Sequence, residues 1–494
     1  MKHHWTRKEF IKASIVGGGA ALLGRRPLSA ARSSANGDIR VAVVGINGKG
    51  AGHIRQIQKM PGVRIAALCD VDSAVLRERV DELAKENIKV STYADFREVL
   101  DDASVDAVVL ATPNHWHSLQ TIWACQAGKD VYVEKPISHN VWEGRKCVEA
   151  ARKYKRIVQA GTQSRSAEEL HRAFAYIKEG NIGKIQWVRG LCYKPRESIG
   201  NTSGPQPVPA SVDYDLWSGP APLVPPHRNG PHGTIHYDWH WFWNYGGGDI
   251  ANQGIHQMDV ARWFLGDPGL PPAVMSIGGR FGYDDDAETP NTQIAVFDYE
   301  KAPLIFEVRG LPSAAGAEAM DNYRGIRIGV IVQCEGGHFS AGSSGGGLVY
   351  DNHGKRIEAF TGTGGGGHME NFISAVRSRK ESDLNAQIEG GHISSALCHL
   401  ANISYRLGAE KSNDAIEAAV QSHAPAAETF SRMLEHLRAN NVDTASTPTV
   451  MGPTLEILAN KERFATEQEF DIGYWANTLL RREYRTPYVV PVKV

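Results

Sequence analysis

The stretch Val41-Ala42-Val43-Val44-Gly45-Ile46-Asn47-Gly48-Lys49-Gly50-Ala51-Gly52-His53 decides the fold. Its first four residues are apolar and rich in β-branched side chains, the pattern of a buried strand, and glycines follow at once. Ile54, Ile57 and Met60 then recur at helical spacing. A strand, a tight turn and a helix N-terminus in that order present free backbone N–H groups and the positive end of a helix dipole to a pyrophosphate. Gly45, Ile46, Asn47, Gly48 and Gly50 are therefore candidate cofactor-binding residues. Asn47 stands where the usual fingerprint has its second glycine, and asparagine is one of the few other residues that tolerate a left-handed backbone.

A second strand, Arg64 to Cys69, ends in Asp70, where a carboxylate can accept hydrogen bonds from the adenosine ribose. The same carboxylate repels a 2′-phosphate, so NAD is expected rather than NADP. Three further apolar runs end in polar segments. Ala107 to Ala111 leads to Thr112, Asn114 and His117; Asp130 to Val133 leads to Glu134-Lys135-Pro136; Ile157 to Ala160 leads to Gly161-Thr162-Gln163. Helical patterns, Ser118 to Gln126 and Val141 to Lys153, separate them. In an open parallel sheet the ligand lies beyond the carboxyl ends of the strands, so these segments converge on one crevice. Thr112, Asn114, His117, Glu134, Lys135 and Gln163 complete the expected cofactor set.

Taken in order, Gly45 to Gly50, Asp70, Thr112-Pro113-Asn114 with His117, Glu134-Lys135-Pro136, and Gly246-Gly247-Gly248 followed by His256 resemble the Gfo/Idh/MocA family. The resemblance covers roughly residues 37 to 400. It implies an α/β protein, with an N-terminal Rossmann domain and a C-terminal α/β domain built on a large, mostly antiparallel open sheet. It also implies NAD(P)-dependent chemistry on a sugar or polyol, and a homodimer or homotetramer formed through that sheet. On this basis residues 1–36 are a leader and linker, 37–160 the NAD-binding domain, and 161–494 the substrate and oligomerisation domain with a helical tail.

The resemblance makes Lys135 and His256 catalytic. Oxidation of an alcohol needs an acceptor for the hydroxyl proton, a group to stabilise the alkoxide-like oxygen, and a C–H bond aimed at the nicotinamide. Lys135 suits the oxygen and His256 the proton. A single helix from Gly246 through Trp263 puts Asn252, His256, Asp259 and Trp263 on one face. Family members carry aspartate four residues before this histidine; Asn252 stands there instead, and an amide can orient an imidazole but cannot supply charge. Asp259 or Asp249 can partly replace that aspartate, and Asp249, after three glycines, equally suits a helix N-cap.

Substrate contacts are expected from Arg165, after the fifth strand; from Tyr193 and Lys194, at the end of the alternating run Gln186 to Tyr193; from Tyr237 and Trp239; and from His256. Tyr237 and Trp239 sit in the densest aromatic run, His236 to Tyr245, which suits either stacking on a pyranose or a core strand with its tryptophans on one face. His236 and His240 have no matching acid nearby, so no metal is expected. A long loop, Gly200 to Pro226, precedes the run and has the make-up of a lid or a subunit arm.

The remaining composition narrows the class. With 494 residues, two domains are the default. A net charge of −1 without a long basic run argues against a nucleic-acid partner. Cys69, Cys125, Cys147, Cys192, Cys334 and Cys398 are scattered, without metal spacing, and read as free thiols. At the N-terminus, Thr6-Arg7-Lys8-Glu9-Phe10-Ile11-Lys12 resembles a twin-arginine motif with lysine as its second base. The apolar stretch Ala13 to Leu23 that follows is too short to span a bilayer. A periplasmic, NAD-loaded protein with no membrane span in the mature chain is expected. Helices are expected over Met369 to Arg377, Ile393 to Leu407, Asp414 to Arg438 and Pro453 to Asn460. Three functions fit: an NAD-dependent oxidoreductase of a sugar hydroxyl or keto group, a redox-neutral NAD-dependent glycosidase, or a sugar-binding protein without activity.

Overall fold

The computed structural model describes residues 37–494 apart from 227, 229–232, 344 and 363; the leader expected over 1–36 lies outside the described residues. Among the described residues, Ile39–Val44 (β1), Val63–Cys69 (β2), Ser91–Tyr93 (β3), Ala107–Leu110 (β4), Asp130–Val133 (β5) and Val158–Ala160 (β6) form a parallel sheet in the order β3-β2-β1-β4-β5-β6. Apart from the polar edge strand β3, the strands are largely apolar on both sides because both faces are covered, as a parallel sheet requires. On one face Ala42, Val44, Val108 and Leu110 pack against the helices Asn114–Gln126 and Val141–Tyr154. On the other, Val41, Val43 and Val109 pack against Lys49–Ile57 and against Met369, Phe372 and Val376 of the helix His368–Ser378. That last helix comes from far beyond residue 160, and Tyr488, Val490 and Val494 join the opposite face. The division at 160/161 therefore follows the chain and not the packing. Chain order reverses between β1 and β4, which opens a crevice at their carboxyl ends.

A second sheet contains Ile185–Tyr193 (β7), Ala273–Gly279 (β8), Thr292–Phe297 (β9), Leu304–Arg309 (β10), Ile328–Cys334 (β11), Gly337–Gly342 (β12), Gly347–Asp351 (β13), Arg356–Phe360 (β14), Ala409–Lys411 (β15), Thr449–Met451 (β16), Leu455–Leu458 (β17) and Arg463–Phe464 (β18). Its main path runs β14-β13-β12-β11-β7-β10-β9-β8-β16-β15. Only β7 and β10 pair parallel among the described strands of this sheet. One face packs on the helices Gly254–Phe264 and Ile388–Arg406. On the other, Ile277, Ile294, Val296 and Ile305 lie under Phe430, Met433 and Leu437 of the tail. Part of the face expected to lie open for a second subunit is thus covered by the chain itself.

Several expected elements differ. The helix expected over Gly246 to Trp263 is two, Gly248–Asn252 and Gly254–Phe264, interrupted at Gln253. Glycine at 254 is a weak helix former, and a Cβ there would lie 3.0 Å from the Phe306 ring, so the second segment closes onto β10. The tail helix is also split, into Asn413–Val420 and Ala424–Ala439. Pro453 to Asn460 contains a strand rather than a helix: Leu455 and Ile457 are buried, Glu456 and Leu458 exposed, a period of two that pairs with β8. The run His236 to Tyr245 is not a strand either, because a wide π-helical turn over Gly233–Tyr237 passes into a tight 3-10 turn over Asp238–Trp241. Among the described residues no helix is long and apolar enough to cross a membrane, and all six cysteines are buried and unpaired.

Candidate active site

The glycine turn is held by contacts that glycine alone permits. Gly45 sits at φ +76°, and a Cβ there would come within 2.7 Å of the Thr112 amide nitrogen. A Cβ on Gly50 would lie 1.9 Å from the Gly45 carbonyl oxygen, so the helix packs directly on the turn. Gly48 is different: a Cβ there meets nothing within 4 Å and would project into open space at the cleft. Asn47, Gly48 and Lys49 line that cleft, which has a volume of about 450 Å³. Ile46 does not line it. Its side chain is buried and its N–H donates to Asp70 Oδ2 at 2.8 Å. Ile46 and Gly50 therefore shape the turn rather than present groups to a ligand.

Asp70 ties the turn to the second strand through both oxygens, since Oδ1 accepts the Asp72 N–H at 3.0 Å. Burial raises its pKa, against the lowering effect of those two N–H groups. Asp70, Asp72 and Asp95 all line one end of the cleft, so that end disfavours a further phosphate. The rest of the cradle fits a dinucleotide: a helix N-terminus and a glycine, Gly48, that leaves open space beside it.

The segments after β4 and β5 converge as expected. Thr112, Asn114, His117, Glu134 and Lys135 all line the cleft. His117 stands between two carbonyl oxygens, Pro136 at 2.6 Å from Nδ1 and Thr112 at 2.7 Å from Nε2. Burial lowers its pKa, against the raising effect of the two carbonyls. Glu134 is buried with His53 Nε2 at 2.8 Å from its Oε1, and Lys49 Nζ lies 3.8 Å from the same oxygen. Burial alone would raise its pKa, but the His53 bond and the charges of His53, Lys49 and Lys135 hold it well below the usual range. Gln163 is not a wall residue: its Nε2 donates to Tyr132 Oη at 2.9 Å and to Glu134 Oε1 at 3.2 Å, supporting Glu134 from behind.

Lys135 reaches across to the second sheet's helices. Its Nζ donates to the Asn252 carbonyl oxygen at 2.8 Å, with Asn252 Oδ1 at 3.5 Å. Burial lowers its pKa, and the carboxylate of Glu134 opposes that. The Asn252 amide oxygen faces Lys135, and among the described residues Asn252 makes no bond to His256. Neither aspartate replaces it. Asp249 pairs with Arg196 at 2.7 Å, and Asp259 pairs with Arg165 at 2.7 Å while accepting the Ser394 hydroxyl. His256 lines the cleft with its pKa lowered to about 3 by burial and by the Lys135 charge, so it is neutral at physiological pH.

Two expected substrate contacts lie elsewhere. Arg165 is buried in a bidentate pair with Asp259 and also bonds Asp267 at 2.7 Å, stapling the segment after β6 to the helix Gly254–Phe264. Tyr193 is fully buried on the far side of the second sheet, where its hydroxyl donates to Glu307 at 2.5 Å. A strand's side chains alternate, so Tyr193 and Lys194 part company. Lys194 does face the cleft, with Nζ bonded to Gln253 Oε1 at 3.0 Å. Tyr237 and Trp239 line it too, and the Tyr237 hydroxyl accepts from Arg196 at 2.9 Å.

The loop Gly200 to Pro226, expected as a lid or a subunit arm, does border the cleft, but sequence reasoning missed the contacts that fasten it there. Residues 211–213 bond back along the second strand's end, through Ser73 N–H to Ser211 O at 2.8 Å and Asp213 N–H to Val71 O at 2.9 Å. Leu216 and Trp217 then form part of the wall. His236 closes the span, with Asn47 Nδ2 at 3.1 Å from one ring nitrogen and Asp72 Oδ2 at 3.1 Å from the other. No local pattern marks these long-range partners. His53 was missed as well, although it lies one helical turn after Lys49 and shares its face.

Two family models match this sequence: an oxidoreductase family NAD-binding Rossmann fold over residues 39–162, and the same family's C-terminal alpha/beta domain over 184–306. The chain belongs to the Gfo/Idh/MocA oxidoreductase family. Its Rossmann layer is accordingly an NAD-binding one. A glycosyl hydrolase family 109 protein of Shewanella baltica is 29% identical over 153 residues, which are 30% of this chain and 33% of that protein. An uncharacterized oxidoreductase of Streptococcus pneumoniae is 26% identical over 276 residues, 53% of this chain and 63% of the relative. The chain thus spans a third, and under two thirds, of these relatives' own lengths. Among solved structures, the WlbA dehydrogenase of Bordetella pertussis in complex with NADH and UDP-GlcNAcA aligns with a TM-score of 0.55 at 20% identity, covering 75% of this chain and 97% of that one. The WlbA dehydrogenase of Chromobacterium violaceum gives the same TM-score and identity over 75% and 94%. At that identity the family likeness is one of fold.

Proposed function

We propose that this family member is an NAD-dependent oxidoreductase acting on a hydroxyl or keto group of a sugar or glycoside. The observation that carries the reading is the meeting of Lys135, anchored on Asn252, with a neutral His256 in the cleft that begins at the glycine turn. Gly45, Asn47, Gly48 and Lys49, with Asp70 beside them, would hold NAD, which would supply reversible hydride transfer at the substrate carbon. Lys135 would hold the reacting oxygen, its ammonium stabilising alkoxide character. His256 would take the hydroxyl proton in oxidation and give it back in reduction. Glu134, fixed by His53, would keep Lys135 charged. Asp70, Asp72 and Asp95 support NAD over NADP, and Tyr237 and Trp239 supply the aromatic and polar surface that a pyranose ring fits.

A second reading, a redox-neutral glycosidase, is favoured by one observation: the cleft also holds a second neutral imidazole, His240. The similarity to a glycosyl hydrolase family 109 protein supports the same idea. The protein from residue 37, incubated with NAD and a panel of nitrophenyl glycosides, separates the two. NADH formed in proportion to substrate without aglycone marks the oxidoreductase. Aglycone released over many turnovers without net NADH marks the glycosidase, and neither product removes both.

A further inference from the structure

We propose that His240 is a second proton-transfer group of this cleft, one that takes a proton from the carbon next to the oxidised carbon of a glycoside. The proposal rests on the redox-neutral reading above. Oxidation of one hydroxyl occupies a single proton acceptor, His256. Elimination of an aglycone needs a second, because the C–H bond beside the new carbonyl must also be broken.

The geometry defines the state of the His240 ring. Its Nδ1 lies 2.6 Å from the Tyr237 carbonyl oxygen, an acceptor, so Nδ1 carries the hydrogen and Nε2 the lone pair. Among the described residues no side chain bonds that Nε2, and it is not one of the sealed polar atoms. The ring lies flat on Trp239, with centroids 3.6 Å apart and planes at 21°. Its backbone is clamped as well, since a Cβ on Gly246 would lie 2.6 Å from the His240 Cα. Burial and the nearby charges of Lys135, Arg196 and Lys194 favour the neutral ring. The other candidate base on that wall, Glu134, is committed to His53.

The step balances within the substrate. In a glycoside whose neighbouring ring carbon is already a ketone, Nε2 takes the acidified C–H proton, and the C–H electron pair forms a carbon–carbon double bond. The C–O bond to the aglycone breaks, its electron pair leaving on oxygen. The imidazolium at His240 then returns the proton to that oxygen. A keto-glycoside becomes an enone and an alcohol, and nothing is oxidised or reduced.

The test supplies the ketone directly. The protein with its bound cofactor is mixed with the α and β anomers of 4-nitrophenyl 3-ketoglucoside in D2O. Proton NMR follows deuterium entry beside the carbonyl while absorbance follows nitrophenol. In His240→Asn, whose amide can keep the bond to the Tyr237 carbonyl, both rates should fall by about 10²-fold or more. The transient, enzyme-bound NADH of a single turnover of the parent glycoside, followed by stopped-flow absorbance, should form within about threefold of the wild-type rate. His240→Gln serves as the second variant, and both are checked for unchanged melting and NAD affinity. Unchanged exchange in folded variants overturns the assignment while the glycosidase reading stands. An equal loss of NADH formation also overturns it, by placing His240 in the oxidation. Absence of exchange and of nitrophenol release in the wild type overturns both.

Discussion

Lys135 is the residue on which the proposed chemistry turns, and its surroundings say how it would fail. The ammonium is anchored by a backbone carbonyl and flanked by Glu134, so removing it leaves the glycine turn and the Asp70 contacts untouched. Lys135→Ala should lower turnover by about 10³-fold while NAD affinity, read by fluorescence titration, changes only a few-fold. Unchanged turnover would end the role assigned to it. The pH profile follows from the same pocket. His256 is the base only when unprotonated, and with its pKa near 3 it stays so well below its ordinary value. The acid limb of kcat/KM should therefore lie below about pH 5 instead of near 6.5, and the alkaline limb should come from Lys135, whose lowered pKa brings loss of charge below its ordinary 10.5. An acid limb centred near 6.5 would show that His256 is not held as described. At this scale the sequence was legible wherever neighbours in the chain are neighbours in space: Gly45 to Gly50, Thr112 to His117, and Glu134-Lys135. It was silent where a side chain's partner lies far along the chain, as with Arg165 and Asp259 or Asn252 and Lys135.

Two glycines of one turn illustrate what an element asks of its residues. Gly50 carries the contact between helix and turn, whereas Gly48 borders open space in the cleft. Gly50→Ala should cost about 1–3 kcal/mol of stability through overpacking against backbone. Gly48→Ala should leave the melting temperature nearly unchanged and weaken NAD binding, because the added methyl enters the ligand's space. Reversed outcomes in calorimetry and titration would mean the cradle is drawn wrongly. The staple between Arg165 and Asp259 makes a parallel case. Arg165→Met leaves a buried carboxylate without its bidentate partner, so the loss should be about 3–5 kcal/mol in urea unfolding, with substrate KM little changed in whatever fraction remains folded. A raised KM with full stability would instead restore Arg165 to the substrate. Elements were legible where a short run is apolar throughout, as in β1, β2, β4, β5 and β6; β3 went unread because Ser91-Thr92-Tyr93 is a polar, largely exposed edge. They were misread where pairing depends on tertiary contact: Leu455 to Leu458 pair with a strand that sequence order does not bring near.

Across the whole molecule, the same property that prepares the cleft sets the protein's response to acid. Burial holds the pKa of His115, His240 and His256 to about 3, and of His399 and His436 to about 4, all below the ordinary 6.5. A group whose folded pKa is depressed binds its proton more readily in the unfolded chain, so stability is full above the unfolded value and declines as pH falls toward the folded one. These five side chains come from both cores and from the tail helix Ala424–Ala439, so the effect is spread over the fold instead of confined to one loop. Glu134 acts in the same direction at lower pH still, since its carboxylate is depressed and its contribution disappears only on protonation. The melting temperature should be level from about pH 7 to 8 and fall with increasing slope between about pH 6 and 4, each newly protonated histidine adding up to about 1.4 kcal/mol per pH unit. Scanning calorimetry at a series of pH values measures that slope. A flat profile down to pH 4 would mean that these histidines accept protons without unfolding, and that the cleft walls of His240 and His256 are more open to water than their packing indicates.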